Sequence, residues 1–529
     1  MSTTTFNWSD PLTLSLTSAN SSDGKIAIDL NGNVVAVWVE NTFIKSSSKS
    51  INSNWTSPVI LSNSGSSAPG LVIDANGNST AIWVENGIIK VSSKTLTGSW
   101  LSSTTLSTTN TSSPTIAVDI VGNVVTAWVR ANVIQTSTKL FGMPWQNKIT
   151  ITSIGASSPH IALGGSGTNT RTVIVWHSTT TNLIYASTKL LTGNWSTQQV
   201  ISHTSRTSIC AKVAVDSNAN ATAIWYVYTL TGNIYSDVVV QSSCRSNSTG
   251  TWSPITNLSS AGIHNPNDLN ANIKFDGNGN AIAIWNTSFN GSIFNIQSAI
   301  KPVRKKWSSV IDIVDSLYSF KSDIDVISYG NGLSAFMFYN GSSLLILTSE
   351  INISGYGIPL AGDPPDPIYL LAKNWGDTAG SSAGPKWEVP INVSLGTNNG
   401  FPSIATSITD NNINAAVIWS QFNGTYNIIQ ASTGSQSLPL PPTNLLITQY
   451  SNNFGIFTEY YNLLQWTAST DPNVMGYAIF RNGKFISQTP TNATHYIDNN
   501  QIQNGSVTYG IATINNQNSQ SKIIMANFP

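Results

Sequence analysis

Phe6-Asn7-Trp8-Ser9-Asp10-Pro11-Leu12-Thr13-Leu14-Ser15 opens the chain with a phrase that belongs at the end of a unit. The phrase returns as Asn54-Trp55-Thr56-Ser57-Pro58-Val59-Ile60-Leu61-Ser62, this time after a longer apolar section. That section begins with Ile26-Ala27-Ile28-Asp29, a short alternating strand closed by Asp. The turn Leu30-Asn31-Gly32-Asn33 leads to a second strand, Val34-Val35-Ala36-Val37-Trp38. A third follows at Ile44-Lys45-Ser46-Ser47-Ser48-Lys49. Each run is short, rich in β-branched or aromatic residues, and bounded by Gly, Asn and Ser.

The unit recurs along most of the chain. Its turn Asp reappears at Asp74, Asp119, Asp216 and Asp276, with Gly164 in that place in the fourth unit. The second-strand tryptophans are Trp38, Trp83, Trp128, Trp176, Trp225, Trp285 and Trp419. Those of the fourth strand are Trp8, Trp55, Trp100, Trp145, Trp195, Trp252, Trp307 and Trp387, so the pattern takes up fifteen of the seventeen tryptophans. Three-strand sections start near Ile26, Leu71, Ile116, Ile161, Val213, Ile273, Ile324 and Ile404. Fourth strands also number eight, but one precedes the first section and none follows the last.

Four strands in roughly 40–45 residues is the period of a propeller blade, and the chain resembles a bacterial-type repeat β-propeller. The count implies eight blades, the last completed by the N-terminal strand, which leaves no open sheet edge. Seven is the alternative, because the unit at Ile324-Asp325-Val326 and Leu333 to Phe338 lacks the turn Asp and the Trp. Trp387-Glu388-Val389-Pro390 restores the phrase after it and favours eight. An insertion over 354–385, carrying Asp363, Asp366 and Trp375, interrupts that unit. Loops of this length are usually functional or disordered.

Residues 1–437 are therefore assigned to the propeller and 438–442, Leu-Pro-Leu-Pro-Pro, to a stiff linker. Residues 443–529 resemble a fibronectin type III module. The matching stretches are Leu464-Gln465-Trp466-Thr467, Gly476-Tyr477-Ala478-Ile479-Phe480-Arg481, Tyr496-Ile497-Asp498 and Val507-Thr508-Tyr509-Gly510-Ile511-Ala512. The resemblance implies an immunoglobulin-like β-sandwich with Trp466 and Tyr509 in its core. The fold class is all-β throughout.

The 529 residues are only 9% charged, against roughly 25% in average domains, and carry zero net charge. Ser, Thr and Asn supply the polarity. Such a surface suits an extracellular, cell-surface or virion protein and argues against a nucleic-acid partner. No run is long and apolar enough to span a membrane, and Met1-Ser2-Thr3-Thr4-Thr5 does not begin a signal peptide. The protein is expected to be a monomer.

Candidate ligand contacts fall in the connections between units and in the insertion: His160, His203, His264, Asp268, Asp363, Asp366 and Trp375. The histidines have no Glu or Cys partner at metal spacing. The Asp-x-Asn-Gly-Asn turns place oxygens at alternate positions, as calcium loops do, but lack a second carboxylate and a distant Glu. A tight structural turn is the preferred reading, so no cofactor is assigned. The tryptophans read as blade-to-blade core rather than sugar platforms. The sialidase box, Ser-x-Asp-x-Gly-x-x-Trp, fails to match, and Arg130, Arg171, Arg206, Arg245 and Arg304 stand in no motif. Cys210 and Cys244 lie at opposite ends of their unit and are expected to be free thiols. No catalytic residue is assigned. The sequence points to a non-catalytic recognition or adhesion protein that binds a protein or glycan. A lectin or glycoside hydrolase is the alternative.

Overall fold

The computed structural model describes residues 6–528, apart from 152–154, 232–233, 265–268, 277–278, 289–293, 303–305, 315–318, 327–330, 340–343, 353–390, 396–398, 401, 410–411, 483 and 517–519. The described chain is built of strands, with one 3-10 turn at Gly167–Asn169. Eight sheets of four or five strands follow one another, each an antiparallel meander. The first runs through Ser21–Ile28, Val34–Glu40, Phe43–Lys49 and Val59–Ile60. The seventh unit, weakest in sequence, forms the same arrangement from Ser319–Val326, Asn331–Tyr339, Leu344–Asn352 and Ile391–Asn392.

The eighth sheet takes its outer strands from the other end of the chain. Asn7 and Trp8 pair with Ser435 and Gly434, and Leu12 and Thr13 pair with Ala431 and Gln430. Phe6 then enters a buried cluster with Ile346, Ile404 and Trp419. Gly434 is glycine for a steric reason: a Cβ there would stand 2.7 Å from the Phe6 ring.

Apolar side chains at alternate positions weld neighbouring sheets together. Trp83 of the second sheet packs on Val37 and Ile44 of the first, and Trp128 of the third packs on Ile82 and Val91 of the second. Trp38 packs on Ala416, Ile418 and Ile429 of the eighth, so the first and last sheets are joined as the others are. The first strands touch one another in a closed cycle, from the first sheet through the eighth and back. All seven second-strand tryptophans are at most 2% exposed, which bears out their reading as core. The described fourth-strand tryptophans are half-buried at the same joints. Lys94 and Lys189 lie over two of them, Trp100 and Trp195, at 6.0 and 5.5 Å.

Two boundaries differ from the sequence reading. First strands begin about five residues earlier than their apolar runs, at Ser21, Ser66, Thr111, Ala156 and Thr207. A bulge separates the two parts of each, centred on a left-handed Asp23, Ala68, Ser113, Ser158 or Cys210 with φ between 47° and 55°. A bulge breaks the period of two, so the strand could not be followed past it by alternation. As a result His160 and Cys210 lie inside strands rather than in connections. Fourth strands in the first five sheets are two residues long and begin after the Trp, not at it.

The turn Asp residues are buried and fully engaged. Asp29 Oδ1 accepts the N–H groups of Asn31 and Asn33 at 2.9 and 2.8 Å, and Oδ2 accepts Asn33 Nδ2 at 2.7 Å. Asp74, Asp119 and Asp216 repeat the pattern with the Asn four residues on.

Residues 443–528 form two further sheets, one of three strands and one of four. Leu464 and Trp466 of the first share a core with Tyr477, Ile479, Tyr509 and Ile511 of the second. Asp498 ties them: it accepts the Tyr509 hydroxyl and pairs with Arg481 at 2.9 Å. The segment before them is pinned at both ends. Leu438 is buried beside Phe6, and the Leu440 N–H donates to Asp471 at 3.2 Å.

Candidate functional site

The closed cycle has two unlike ends. One carries the Asp turns, with Leu30, Ile120, Val121, Phe141 and Met143 exposed beside them. The other gathers the bulged starts of the first strands, the hairpins between second and third strands, and the connections from sheet to sheet. Here the backbone bonds form a repeating ladder. The hairpin of one sheet accepts from the start of the next: Ser66 N–H donates to Thr42 at 2.8 Å, Thr111 to Gly87 at 3.0 Å and Ser208 to Asn182 at 2.9 Å. In the first four sheets the hairpin also donates to the connection entering its own sheet, as Asn41 to Asn20 and Asn86 to Gly65, both at 2.9 Å. Glu40 and Glu85 add to this ladder, accepting the Leu16 N–H at 3.0 Å and the Asn63 N–H at 3.1 Å.

The rim presents mostly neutral donors and acceptors, with the exposed Asp23 carboxylate at the first bulge accepting the Ser22 hydroxyl at 3.2 Å. Ser22, Ser67, Ser112 and Ser158 are exposed at the bulges, and Asn41, Asn86, Asn132 and Asn182 at the hairpins. Left-handed backbone at the bulges and at Asn41, Asn86, Asn132 and Asn182 turns these groups outward. The position after the second-strand Trp varies. It is Val39, Val84 and Val129 in the first three sheets, then His177, Tyr226 and Asn286. His177 Nδ1 lies 3.2 Å from Ser157 Oγ, while its Nε2 is buried without a hydrogen-bond partner. Burial pushes the His177 pKa down. The Tyr226 hydroxyl reaches the sixth sheet, 2.8 Å from the Asn270 carbonyl and 2.9 Å from Asn286 Oδ1. Burial raises its pKa well above the phenolic range, with Cys210 adding to the shift.

The fifth sheet's second strand runs on past its tryptophan to Thr231, further than the first sheet's, which stops at Glu40, or the eighth sheet's, which stops at Phe422. The second and third strands of the fifth sheet, Ala221–Thr231 and Ile234–Arg245, hold eleven and twelve residues against seven in the first sheet. The extension adds about 13 Å at roughly 3.3 Å per residue. Gly262–His264 pairs on its flank. Arg206 braces its base by donating to the Asp237 carbonyl.

Three of the residues singled out from sequence flank this sheet. His160 Nδ1 accepts the Val213 N–H at 3.3 Å, across the joint between fourth and fifth sheets. Its ring keeps some accessible area yet is surrounded by protein, as expected for a group facing the interior of the cycle. Burial pushes its pKa well below 6.5, and the ammonium groups of Lys212 and Lys274 push the same way. His203 is exposed in the connection before the fifth sheet, its Nδ1 2.8 Å from Ser205 Oγ. His264 supplies backbone to the flanking strand. His160 and His203 share no hydrogen bond among the described contacts. Asp268, Asp363, Asp366 and Trp375 lie outside the described residues.

Sequence reasoning missed the Ser157–His177 pair, Tyr226 and Lys212. Aligning the units at the residue after Trp would have exposed the first two, because three valines give way there to polar side chains. Among the described residues no three His, Cys, Asp or Glu side chains cluster as metal ligands would. Cys210 and Cys244 are free, as expected, and burial raises the Cys210 pKa.

No family model matches the chain, and no curated protein is similar to it in sequence. Among solved structures it is similar to β-propeller and carbohydrate-active proteins. A polysaccharide lyase, an ulvan lyase, aligns at 9% identity over 80% of this chain and 93% of its own, with a TM-score of 0.40. The six-bladed fucose lectin of Aleuria aurantia aligns at 13% identity over 56% of this chain and 96% of its own, TM-score 0.31. A Hadza microbial sialidase aligns at 9% over 81% and 95%, TM-score 0.33. At these values no ligand or activity is carried from them to this chain.

Proposed function

We propose that residues 1–437 form one eight-bladed propeller closed by its N-terminal strand, and that its rim binds a neutral, polyhydroxylated ligand, a glycan, without catalysis. Residues 438–442 act as a linker, and 443–529 as a fibronectin-like sandwich that spaces or presents the ring. The protein works as a monomer outside the cell or on a surface. The carrying observation is the rim itself, where exposed Ser and Asn side chains sit on a backbone ladder that repeats from sheet to sheet. Hydroxyls and amides both donate and accept, which matches the hydrogen-bonding of sugar hydroxyls, and a rim already ordered loses little entropy on binding. The tall fifth sheet gives the face one wall against which a chain of sugars can lie.

A second reading rests on Ser157 and His177. A hydroxyl beside an imidazole is the beginning of a nucleophile–base pair, although its Nε2 has no orienting carboxylate in the described structure. A glycan array and a hydrolase panel separate the two. Recognition predicts binding that drops at least about tenfold when residues 229–235 are replaced by a two-residue turn, with folding intact. Turnover of a substrate that stops with Ser157→Ala would establish the second reading. Flat glycan binding by the folded protein would remove the first.

A further inference from the structure

At the Asp-turn end of the joint between the fourth and fifth sheets lie two guanidinium groups, Arg171 and Arg245, and we propose that they bind an oxyanion of the sulfate, phosphate or carboxylate class.

The place has a counterpart in other sheets. A cation ends the third strand at Lys49, Lys94 and Lys139 and stands one residue from its end at Lys189, and Arg245 holds that position in the fifth sheet. Lys49 and Lys189 satisfy themselves by donating back to a threonine of the preceding sheet, Thr433 at 3.1 Å and Thr138 at 2.9 Å. Arg245 does not. It is 7% exposed, and its Nη1 is buried with no hydrogen-bond partner.

Arg171 then adds a second positive charge. It begins the second strand of the fourth sheet, where the first three and the fifth have Val34, Ser79, Val124 and Ala221. Its Nε donates to Asn247 Oδ1 at 3.2 Å, on the loop just beyond Arg245, and the Asn247 N–H is fixed on Asn220 Oδ1 at 2.9 Å. Burial lowers the Arg245 pKa, and the proximity of Arg171 lowers it further. Two like charges held together in this way are costly without an anion between them.

The same joint has lost a carboxylate. The fourth sheet carries Gly164 where others carry the turn Asp, and a Cβ there would stand 2.7 Å from the carbonyl oxygens of both Val215 and Asp216. Asp216 itself is spent on the N–H groups of Asn218 and Asn220 and on Asn220 Nδ2. Neither arginine has an ion pair among the described residues. Guanidinium forks suit an oxyanion because each offers parallel N–H donors in one plane. Arg171 is half-exposed, which leaves the joint open to an ion from solvent.

The test compares wild type with Arg171→Gln and Arg245→Gln in sodium sulfate and in sodium chloride at matched ionic strength. General salt effects act on all three proteins alike, so the difference between them isolates the site. Wild type should gain a saturable rise in Tm of about 2 °C or more in sulfate. Arg171→Gln should melt no lower than wild type in chloride and lose most of the sulfate response. An undiminished response in both variants overturns the proposal, as does the absence of any sulfate response in wild type. If Arg245→Gln does not fold, Arg171→Gln decides alone. Parallel titrations with phosphate and with glucuronate then tell a tetrahedral anion from a carboxylate.

Discussion

In the first three sheets the residue after the second-strand tryptophan is valine, the first strand bears a serine at its bulge, and each turn has its Asp. The fourth and fifth sheets keep the strands and the tryptophans but change what lies between them. His177 and Tyr226 replace valine, Gly164 replaces Asp, Arg171 and Arg245 appear at the joint, and one hairpin outgrows the rim. The regular part shows the common plan, a buried Trp, a saturated Asp turn and two alternating strands, of which the seventh sheet keeps only the strands. Polar and charged departures from that plan are found on the fourth and fifth sheets.

The comparison can be broken first at the shared element. Trp83→Ala removes a fully buried side chain from the joint between the first and second sheets and should cost about 3–5 kcal/mol in denaturant unfolding. Trp225→Ala should cost a similar amount, since Trp225 is equally buried and donates to Gln241 at 3.2 Å. If Trp225→Ala is tolerated, the fifth sheet is not built on the common plan.

A smaller effect is expected at the turns. Asp74→Ala strips the acceptor from the N–H groups of Asn76 and Asn78 and from Asn78 Nδ2, and should cost about 2 kcal/mol. Gly164 marks the one early turn that does without this carboxylate, so Gly164→Asp should not restore anything. It should destabilise, because the added Cβ meets backbone oxygen at 2.7 Å.

The gentlest test is acid. His160 has its folded-state pKa below 6.5, so the folded protein binds fewer protons than the unfolded chain once pH falls under that value. Stability should be level above pH 6.5 and decline as pH drops toward the folded-state pKa. His160→Gln should flatten that part of the curve of Tm against pH. An equal decline in the variant assigns the acid sensitivity elsewhere, with His177 the next group to remove.

The repeats were legible in the sequence because Trp38, Trp83 and Trp128 stand in a fixed frame with Asp29, Asp74 and Asp119. Burial and turn chemistry dictate both residue types, so they recur wherever the structure does. The starts of the first strands were not legible. At Ser22-Asp23 and Ser157-Ser158 a left-handed residue breaks the alternation, and polar side chains at an exposed edge carry no hydrophobic signal. His160 was found by residue type and misplaced for that reason. Ser157 with His177, and Arg171 with Arg245, were invisible because each pair is made by strand register or by neighbouring sheets, not by nearness along the chain.

The central claim is that Phe6 to Ser15 closes the ring. It rests on the pairing of Asn7 and Trp8 with Ser435 and Gly434, and on Phe6 in one buried cluster with Ile404 and Trp419. Deleting residues 1–16 and following thermal unfolding tests it most directly. The deletion should lower Tm by at least about 10 °C, since it exposes a sheet edge and uncovers the clusters at two joints. A truncated protein that melts with the intact one would show that the ring does not depend on its first strand.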